Sequence, residues 1–278
     1  MFITSLDDFI KYIPTAEGTD WKAISPFIES ADTEIQMTLT GADLYSYVDS
    51  LAVENVLHRL VCNLICMTAY KNAIPFVDLV QTANGFAVVN NSNVSPASKE
   101  RVERLILMCE KVIDRTTDLL ITATMTTAAA LAEWKKFSGF NDMTNCLFVT
   151  GVDFEGYFKQ SELKRKSFLD YKNDLMYCQE NVLCENFSRE VIEELVGQIR
   201  DNSLTDSNKL LLTQMKQVLG KYAEGLRDEE LKAQSGSFKM IYEGLKGNST
   251  YEASATAIVR LPASNYENKQ SDPTFFWG

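Results

Sequence analysis

Apolar residues recur every three or four positions along most of the chain, and this spacing predicts helices rather than strands. The most apolar helix is predicted over residues 54–73, where cysteines and an alanine widen a single apolar stripe. The stripe consists of Val53, Val56, Leu57, Leu60, Val61, Leu64 and Ile65. A helix that is apolar on most sides packs in the middle of a domain. We therefore expect a mainly α-helical fold with this helix at its centre.

Proline and glycine place several of the predicted helix boundaries. Ser25 followed by Pro26 predicts the start of a helix, because Ser is a good cap and Pro fits the first helical position. Gly41 is expected to end that helix, since glycine takes the left-handed C-terminal conformation without a steric penalty. Pro75 is expected to end the central helix.

A change of period near residues 77–90 predicts a β-hairpin within the first, helical half. The segments DLVQTA and FAVVN flank Asn84-Gly85, two residues that tolerate the positive φ of a type I′ turn. Exposed loops often carry function, so the hairpin tip, Asn84, Gly85 and Phe86, is a candidate protein-interaction element. The alternative is a ribbon that simply packs on the domain.

A long helix is predicted from about residue 96 to residue 122 or beyond. Its inner stripe includes Leu105, Cys109 and Val112. Its outer face is charged, and we expect it to be a solvated surface. The charged residues are Glu100, Arg101, Glu103, Arg104, Glu110, Lys111, Asp114 and Arg115.

The opening of the chain recurs in its second half. FITSLDDFIKYI at residues 2–13 matches FVTGVDFEGYF at residues 148–158 when one residue is deleted. The identical pairs are Phe2 with Phe148, Thr4 with Thr150, Asp7 with Asp153, Phe9 with Phe154, and Tyr12 with Tyr157. Similar apolar spacing follows in both halves. We predict an internal duplication: two related helical bundles, one over residues 1–140 and a more polar, divergent one over residues 146–262.

Residues 263–278 are polar and then abruptly aromatic. We expect a flexible C-terminal tail, since disorder concentrates at termini. The alternative is that Phe275, Phe276 and Trp277 form an anchor on this chain or on a neighbour, because large aromatic side chains are enriched at interface hot spots.

Charge and cysteine usage narrow the classes of function. The chain has 27 Lys and Arg against 38 Asp and Glu, a net charge of -11. This balance argues against sequence-specific nucleic-acid binding and against binding to an anionic membrane, because both need a cationic face, although it leaves room for a local basic patch. The opening residues do not resemble a secretory signal, so we expect a cytoplasmic chain with reduced cysteines. The apolar run over residues 60–70 is too short to cross a bilayer.

Motifs for catalysis and metal binding are sparse. The single histidine, His58, shares a helix face with Cys62 and Cys66. Structural zinc usually recruits ligands from two elements, so we interpret all three as core residues. Familiar nucleotide-binding, zinc-protease and hydrolase motifs are missing. We expect neither an enzyme nor a cofactor or metal. The weak candidates for a carboxylate site, the least favoured function, are Glu190, Glu193 and Glu194.

Several segments together carry a resemblance to a known family. They are ISPFIESADTEIQMTLTGADLYSYV, the long apolar helix ending in AYKNAI, and DLVQTANGFAVVNNSNVSPASKERVERL. Within the first, Gly41 precedes the apolar-aromatic pair Leu44-Tyr45. Over about residues 1–120 the chain resembles the head–tail connector, or neck adaptor, proteins of tailed phages and prophages. It departs from them in being about twice as long, through the predicted duplication.

The resemblance implies a structural virion-assembly protein without turnover. Connectors form a ring between the portal and the tail, so it implies self-association into a ring, portal or tail proteins as partners, and a place in the virion after synthesis in the bacterial cytoplasm. Acidic walls would suit a ring lumen that carries DNA, because they do not grip phosphate. The alternative function is a soluble bacterial helical interaction module unrelated to phage.

Overall fold

Helices dominate the structure, a computed structural model, and the prediction of a mainly α-helical fold is confirmed. The structure describes residues 2–13, 19–77, 79–82, 85–88, 98–159, 162–234 and 236–260. The predicted tail over residues 263–278 lies outside this part of the chain. Contacts divide the chain into two compact units. Unit 1 comprises Met1–Asn173 and Ile199–Ser203, and unit 2 comprises Asp174–Gln198 and Leu204–Gly278.

Unit 1 is built mainly from helices of the first 173 residues. They are α1 (Leu6–Ile10), α2 (Trp21–Ile35), α3 (Gly41–Asp49), α4 (Val56–Val77), α5 (Lys99–Thr126), α6 (Ala128–Trp134), α7 (Phe140–Met143), α8 (Gly151–Glu155) and the first part of α9 (Lys164–Cys178). A five-residue π-helical segment, Gln36–Thr40, joins α2 to α3.

The helix α4 packs against both α2 and α5, which confirms its predicted central position. Val61, Leu64 and Ile65 of its apolar stripe are buried. The prediction is wrong for Val53 and Val56, which are exposed because the first precedes α4 and the second occupies its first position. Among the helices described, none is both long enough and apolar enough to cross a membrane.

Two predicted helix boundaries are wrong. The Asp20 carboxylate accepts a hydrogen bond from the Lys22 backbone N–H at 3.1 Å, so α2 begins before Ser25 and contains Pro26. A proline there removes only one backbone bond near the helix start. The helix α4 likewise continues to Val77 through Pro75.

Gly41 ends the continuous run of α2 and its π-helical extension, as predicted. Its φ is +70°, in the left-handed region, and a Cβ at this position would lie 2.8 Å from the Phe137 side chain. The indole Nε1 of the buried Trp134 donates to the Leu39 carbonyl at 2.8 Å. The end of the π-helical segment is therefore fixed by the left-handed conformation of Gly41 and by the hydrogen bond from Trp134 of α6.

Two short strands, β1 (Leu79–Thr82) and β2 (Gly85–Val88), pair antiparallel. The register pairs Gly85 with Thr82. Gly85 therefore lies in a strand and not at the centre of the predicted turn, and Asn84 lies outside the described residues. The predicted turn would have shifted the pairing by two residues. Strand positions alternate with a period of two, so the sequence pattern fits both registers.

Two aspartates one turn apart on α5 hold the starts of α8 and α9. Asp114 accepts from the backbone N–H groups of Arg165 at 2.9 Å and Lys166 at 2.8 Å. Asp118 accepts from the backbone N–H of Val152 at 2.9 Å. The first N–H groups of a helix have no partner within it, and carboxylates there also favour the helix dipole. The expectation that Asp114 belongs to a solvated surface is therefore wrong.

The guanidinium of Arg165 completes this network. Its Nη1 lies 3.2 Å from Asp118 Oδ1 and also donates to the Val149 carbonyl at 3.1 Å. Asp118 is 2% exposed and Arg165 is 8% exposed. Burial raises the pKa of Asp118 and lowers that of Arg165, and their mutual attraction opposes both shifts. Each charge thus depends on the other for compensation.

The same network bears on the domain boundary. The helix α5 belongs to the first predicted bundle (residues 1–140), whereas α8 and α9 begin the second (residues 146–262). These hydrogen bonds lie within unit 1, which contains α5, α8 and the first part of α9, and the division into units follows Asn173. It does not coincide with the predicted boundary.

Unit 2 is also helical. It contains the end of α9, α10 (Cys184–Phe187), most of α11 (Arg189–Arg200), α12 (Asp206–Ala223), α13 (Asp228–Gln234), α14 (Gly236–Leu245), α15 (Ser249–Glu252) and α16 (Ala255–Arg260). A second π-helical segment, Gln179–Leu183, precedes α10. The ring of Phe187 packs on Phe238 and Tyr242, with ring centroids 4.9 Å and 4.8 Å away.

We predict that Asp118→Ala destabilises the protein by about 3–5 kcal/mol, because it leaves the Arg165 guanidinium buried without its counter-ion. Chemical denaturation followed by circular dichroism measures the loss. The matched control is Glu103→Ala on the same helix, whose exposed ion pair with Lys99 spans 3.6 Å. It should change stability by no more than about 0.5 kcal/mol. Equal effects of the two substitutions would contradict the prediction.

Candidate functional site

An open groove of about 620 Å³ runs between α4 and α5, beside Tyr12. We refer to it as the α4–α5 groove. Its lining residues are Tyr12, Val56, Arg59, Leu60, Asn63, Met108, Lys111, Val112, Arg115, Thr116 and Leu119. The volume is in the range of sites that bind a small molecule or several side chains of a partner.

The floor of the groove is apolar and open to solvent. Val56 is 60% exposed, Met108 is 54% exposed and Leu119 is 45% exposed. Single exposed apolar residues are common, but a contiguous apolar patch with a polar rim marks an interaction site. These three side chains line one groove, so they form such a patch.

The rim of the groove is cationic. It carries Arg59, Lys111 and Arg115, and none of its lining residues is Asp or Glu. Lys111 forms an ion pair with Glu162. Within the described part of the chain, Arg59 and Arg115 have no ion-pair partner. The groove is therefore a local cationic surface on a chain whose net charge is -11.

One buried acceptor in the groove is unpaired. The Oδ1 atom of Asn63 has no hydrogen-bond partner among the described residues. A buried oxygen of this kind costs free energy unless a donor reaches it. The atom is buried in the wall of the groove, so it offers no contact to a ligand in the open part.

The groove continues past Tyr12 into a smaller apolar recess of about 180 Å³. Its lining residues are Tyr12, Ile13, Met67, Tyr70, Leu105, Met108, Cys109 and Val112. Burial is the largest of the influences that raise the pKa of Tyr12 to about 12, so its phenol is neutral at physiological pH. The extended groove thus combines an apolar recess with a cationic opening.

The site residues predicted from sequence lie elsewhere or outside the described residues. Gly85 and Phe86 belong to β2. Asn84 and the aromatic residues Phe275, Phe276 and Trp277 lie outside the described part. The groove was not predicted from the sequence, although a signal for it exists. One side of α5 alternates apolar and cationic residues at helical spacing: Met108, Lys111, Val112, Arg115 and Leu119.

The row formed by His58, Cys62 and Cys66 is buried, which confirms the interpretation of these residues as core. The Sγ of Cys62 lies 3.5 Å from His58 Nδ1, and the ring of Phe2 packs edge-on against the imidazole. The described residues contain no group of three or more His, Cys, Asp or Glu side chains that could hold a metal ion.

Two of the candidate carboxylates have structural partners. Glu190 accepts from the Ser188 hydroxyl at 2.6 Å, and this hydrogen bond lowers the pKa of Glu190. A general acid needs the opposite shift. Glu194 Oε1 accepts from the side-chain amides of Gln198 at 2.8 Å and Asn208 at 3.0 Å. Both carboxylates therefore act in local structure.

We predict that the thiols are unreactive in the folded protein. All six cysteines are buried, and burial raises the pKa of Cys62 and Cys184 to about 11. A thiol reagent at about pH 8 should label all six after denaturation and none rapidly beforehand, because the thiolate is the reactive form. Rapid stoichiometric labelling of one cysteine in the native chain would contradict this prediction.

Comparison with known proteins matches the part of the chain that contains the groove to a family, but the function of that family is unknown. Residues 23–142 match the model of a family of unknown function, DUF6712. The matched segment runs from α2 into α7 and includes every lining residue of the α4–α5 groove except Tyr12. No curated protein and no solved structure matches the chain. Over this segment, the chain is similar to a family whose function is unknown.

Proposed function

We propose that the chain is a structural, non-catalytic component of a tailed-phage or prophage particle that resembles a head–tail connector and self-associates into a ring. The observation that carries this proposal is the α4–α5 groove. Its open apolar floor, with Val56, Met108 and Leu119, and its cationic rim are typical of a surface that binds protein.

Ring assembly supplies a reason for such a groove. A closed ring needs a heterologous interface, in which one surface of each copy meets a different surface of the next. The chain has a net charge of -11, so a cationic groove favours contact with an acidic surface of another copy. Charge complementarity speeds and orients association. Portal or tail proteins would then contact the assembled ring.

We further propose that the chain is internally duplicated. The helices α1 and α8 have five residues each and start in the same way. The Ser5 hydroxyl accepts from the Asp8 backbone N–H at 3.2 Å, and the Thr150 hydroxyl accepts from the Asp153 N–H at 3.2 Å. The caps support a matched opening with the one-residue deletion placed at Thr4, so that Ser5 and Asp8, in place of Thr4 and Asp7, correspond to Thr150 and Asp153.

The helices that follow also correspond. Both α2 and α9 have 15 residues and continue into five-residue π-helical segments. The first segment ends at Gly41 with φ +70°, and the second is followed, after the single turn of α10, by Ser188 with φ +108°. Because π-helical segments are uncommon, two of them after helices of equal length support the duplication.

The equivalence of Ser188 and Gly41 can be tested by stability. Ser188→Gly should leave the free energy of unfolding unchanged or raise it, because glycine relieves a positive φ that strains serine by about 1 kcal/mol. Ser188→Ala keeps the strain and loses the hydroxyl that accepts from the Val191 N–H at 3.4 Å. It should cost about 1 kcal/mol. Denaturation curves compare the two, and equal losses would contradict the assignment.

Self-association is the direct test of the proposed function. Size-exclusion chromatography with light scattering should find a closed oligomer of the full chain. Met108→Asp places a carboxylate on the apolar floor and should reduce the assembled fraction at least about tenfold, in line with a hot-spot residue.

The matched control is Leu107→Asp, the neighbouring position on α5, where the side chain is 41% exposed but does not line the groove. It should assemble like the wild type. A wild-type chain that stays monomeric at its highest soluble concentration would overturn the ring and favour the interaction module. Equal assembly of both variants would remove the groove from the interface.

A further inference from the structure

We infer that the α4–α5 groove of one copy receives the C-terminal aromatic segment of a neighbouring copy, with Phe275, Phe276 and Trp277 on the apolar floor. This inference rests on the proposed self-association and specifies its contact. The segment lies outside the described residues, and its sequence and the chemistry of the groove are the basis of the inference.

The apolar floor suits aromatic side chains. Met108 is open to solvent, and a thioether packs favourably against aromatic rings. Arg59 and Arg115 flank the floor with guanidinium groups that can stack on such rings. The consecutive aromatics at residues 275–277 would fill the groove with large, stiff side chains, as anchors in interfaces do.

The polar groups of the groove are also complementary to this segment. Glu267 and Asp272 precede the aromatic residues, against the single Lys269, so the side chains of the segment carry a net negative charge. They bring negative charge to a rim on which two arginines lack ion-pair partners among the described residues.

The segment is long enough to leave its own copy. Fourteen residues separate Arg260, the last described residue, from Phe275. A chain of that length spans at most about 50 Å. A groove on each copy that accepts a segment of the next gives the head-to-tail contact from which rings are built. The proposed ring, and not the length of the segment, therefore assigns the segment to a neighbouring copy.

A binding experiment with a defined probe tests the inference. The probe is a fluorescent peptide of residues 262–278. The protein is the full chain carrying Phe275→Ser, Phe276→Ser and Trp277→Ser, so that its own segment does not compete. Fluorescence anisotropy should show saturable binding that weakens at least about tenfold when Met108→Asp is added. Adding Leu107→Asp instead should leave the affinity within about twofold.

A second measurement identifies the source of the segment. Two preparations of the chain, each with benzoylphenylalanine at Phe276 and otherwise unchanged, are labelled with light and with heavy nitrogen. They are mixed, allowed to assemble and irradiated. Mass spectrometry of cross-links to α4 and α5 should find light–heavy pairs. Cross-links confined to one chain would overturn the inference. Peptide binding that Met108→Asp does not weaken would also overturn it, as would equal binding of a peptide that carries serine at its own three aromatic positions.

The outcomes separate this inference from the proposed function. If the triple-serine variant assembles as well as the wild type, the segment is not the contact, and the ring proposal stands. If the wild type does not assemble at any accessible concentration, the ring proposal fails and this inference fails with it.

Discussion

Two carboxylates on α5, Asp114 and Asp118, accept the backbone N–H groups that begin α8 and α9, and Arg165 compensates the more deeply buried of the two. A helix start is a cluster of unpaired donors, and placing two such starts against one helix requires acceptors at matched spacing. Positions four apart on α5 provide that spacing. Because α5 comes from the first part of the chain and α8 and α9 from the second, the interaction unites them in unit 1.

This packing explains how a groove remains on an otherwise well-covered core. One side of α5 is engaged with α8 and α9, and its inner stripe meets α4. The side that carries Met108, Arg115 and Leu119 lies along the open α4–α5 groove. An apolar floor left open in this way is costly in an isolated chain and becomes favourable when a partner covers it. The proposed ring gives the floor a partner on every copy.

Periodicity in the sequence predicted those features of the structure that depend on residues close together in the chain. It placed α4 at the centre, and Gly41 marked the end of a helical run because only a local backbone conformation was involved. It failed for features that depend on contacts between residues far apart in the sequence. Asp114 looked like one more charge on a solvated face, since nothing nearby reveals that the start of α9 will lie against it. Pro26 was predicted to start a helix because its local signal is stronger than that of Asp20. The helix nevertheless begins further upstream, where Asp20 caps it. The groove was missed because it arises only when α4 and α5 pack together.

Cryo-electron microscopy of the assembled full chain tests the central claim most directly. The account predicts a closed ring in which density for the aromatic residues of each copy lies between α4 and α5 of its neighbour, against Met108. A ring whose α4–α5 grooves face solvent, or an assembly in which the same surface of two copies meets in an isolated dimer, would contradict it.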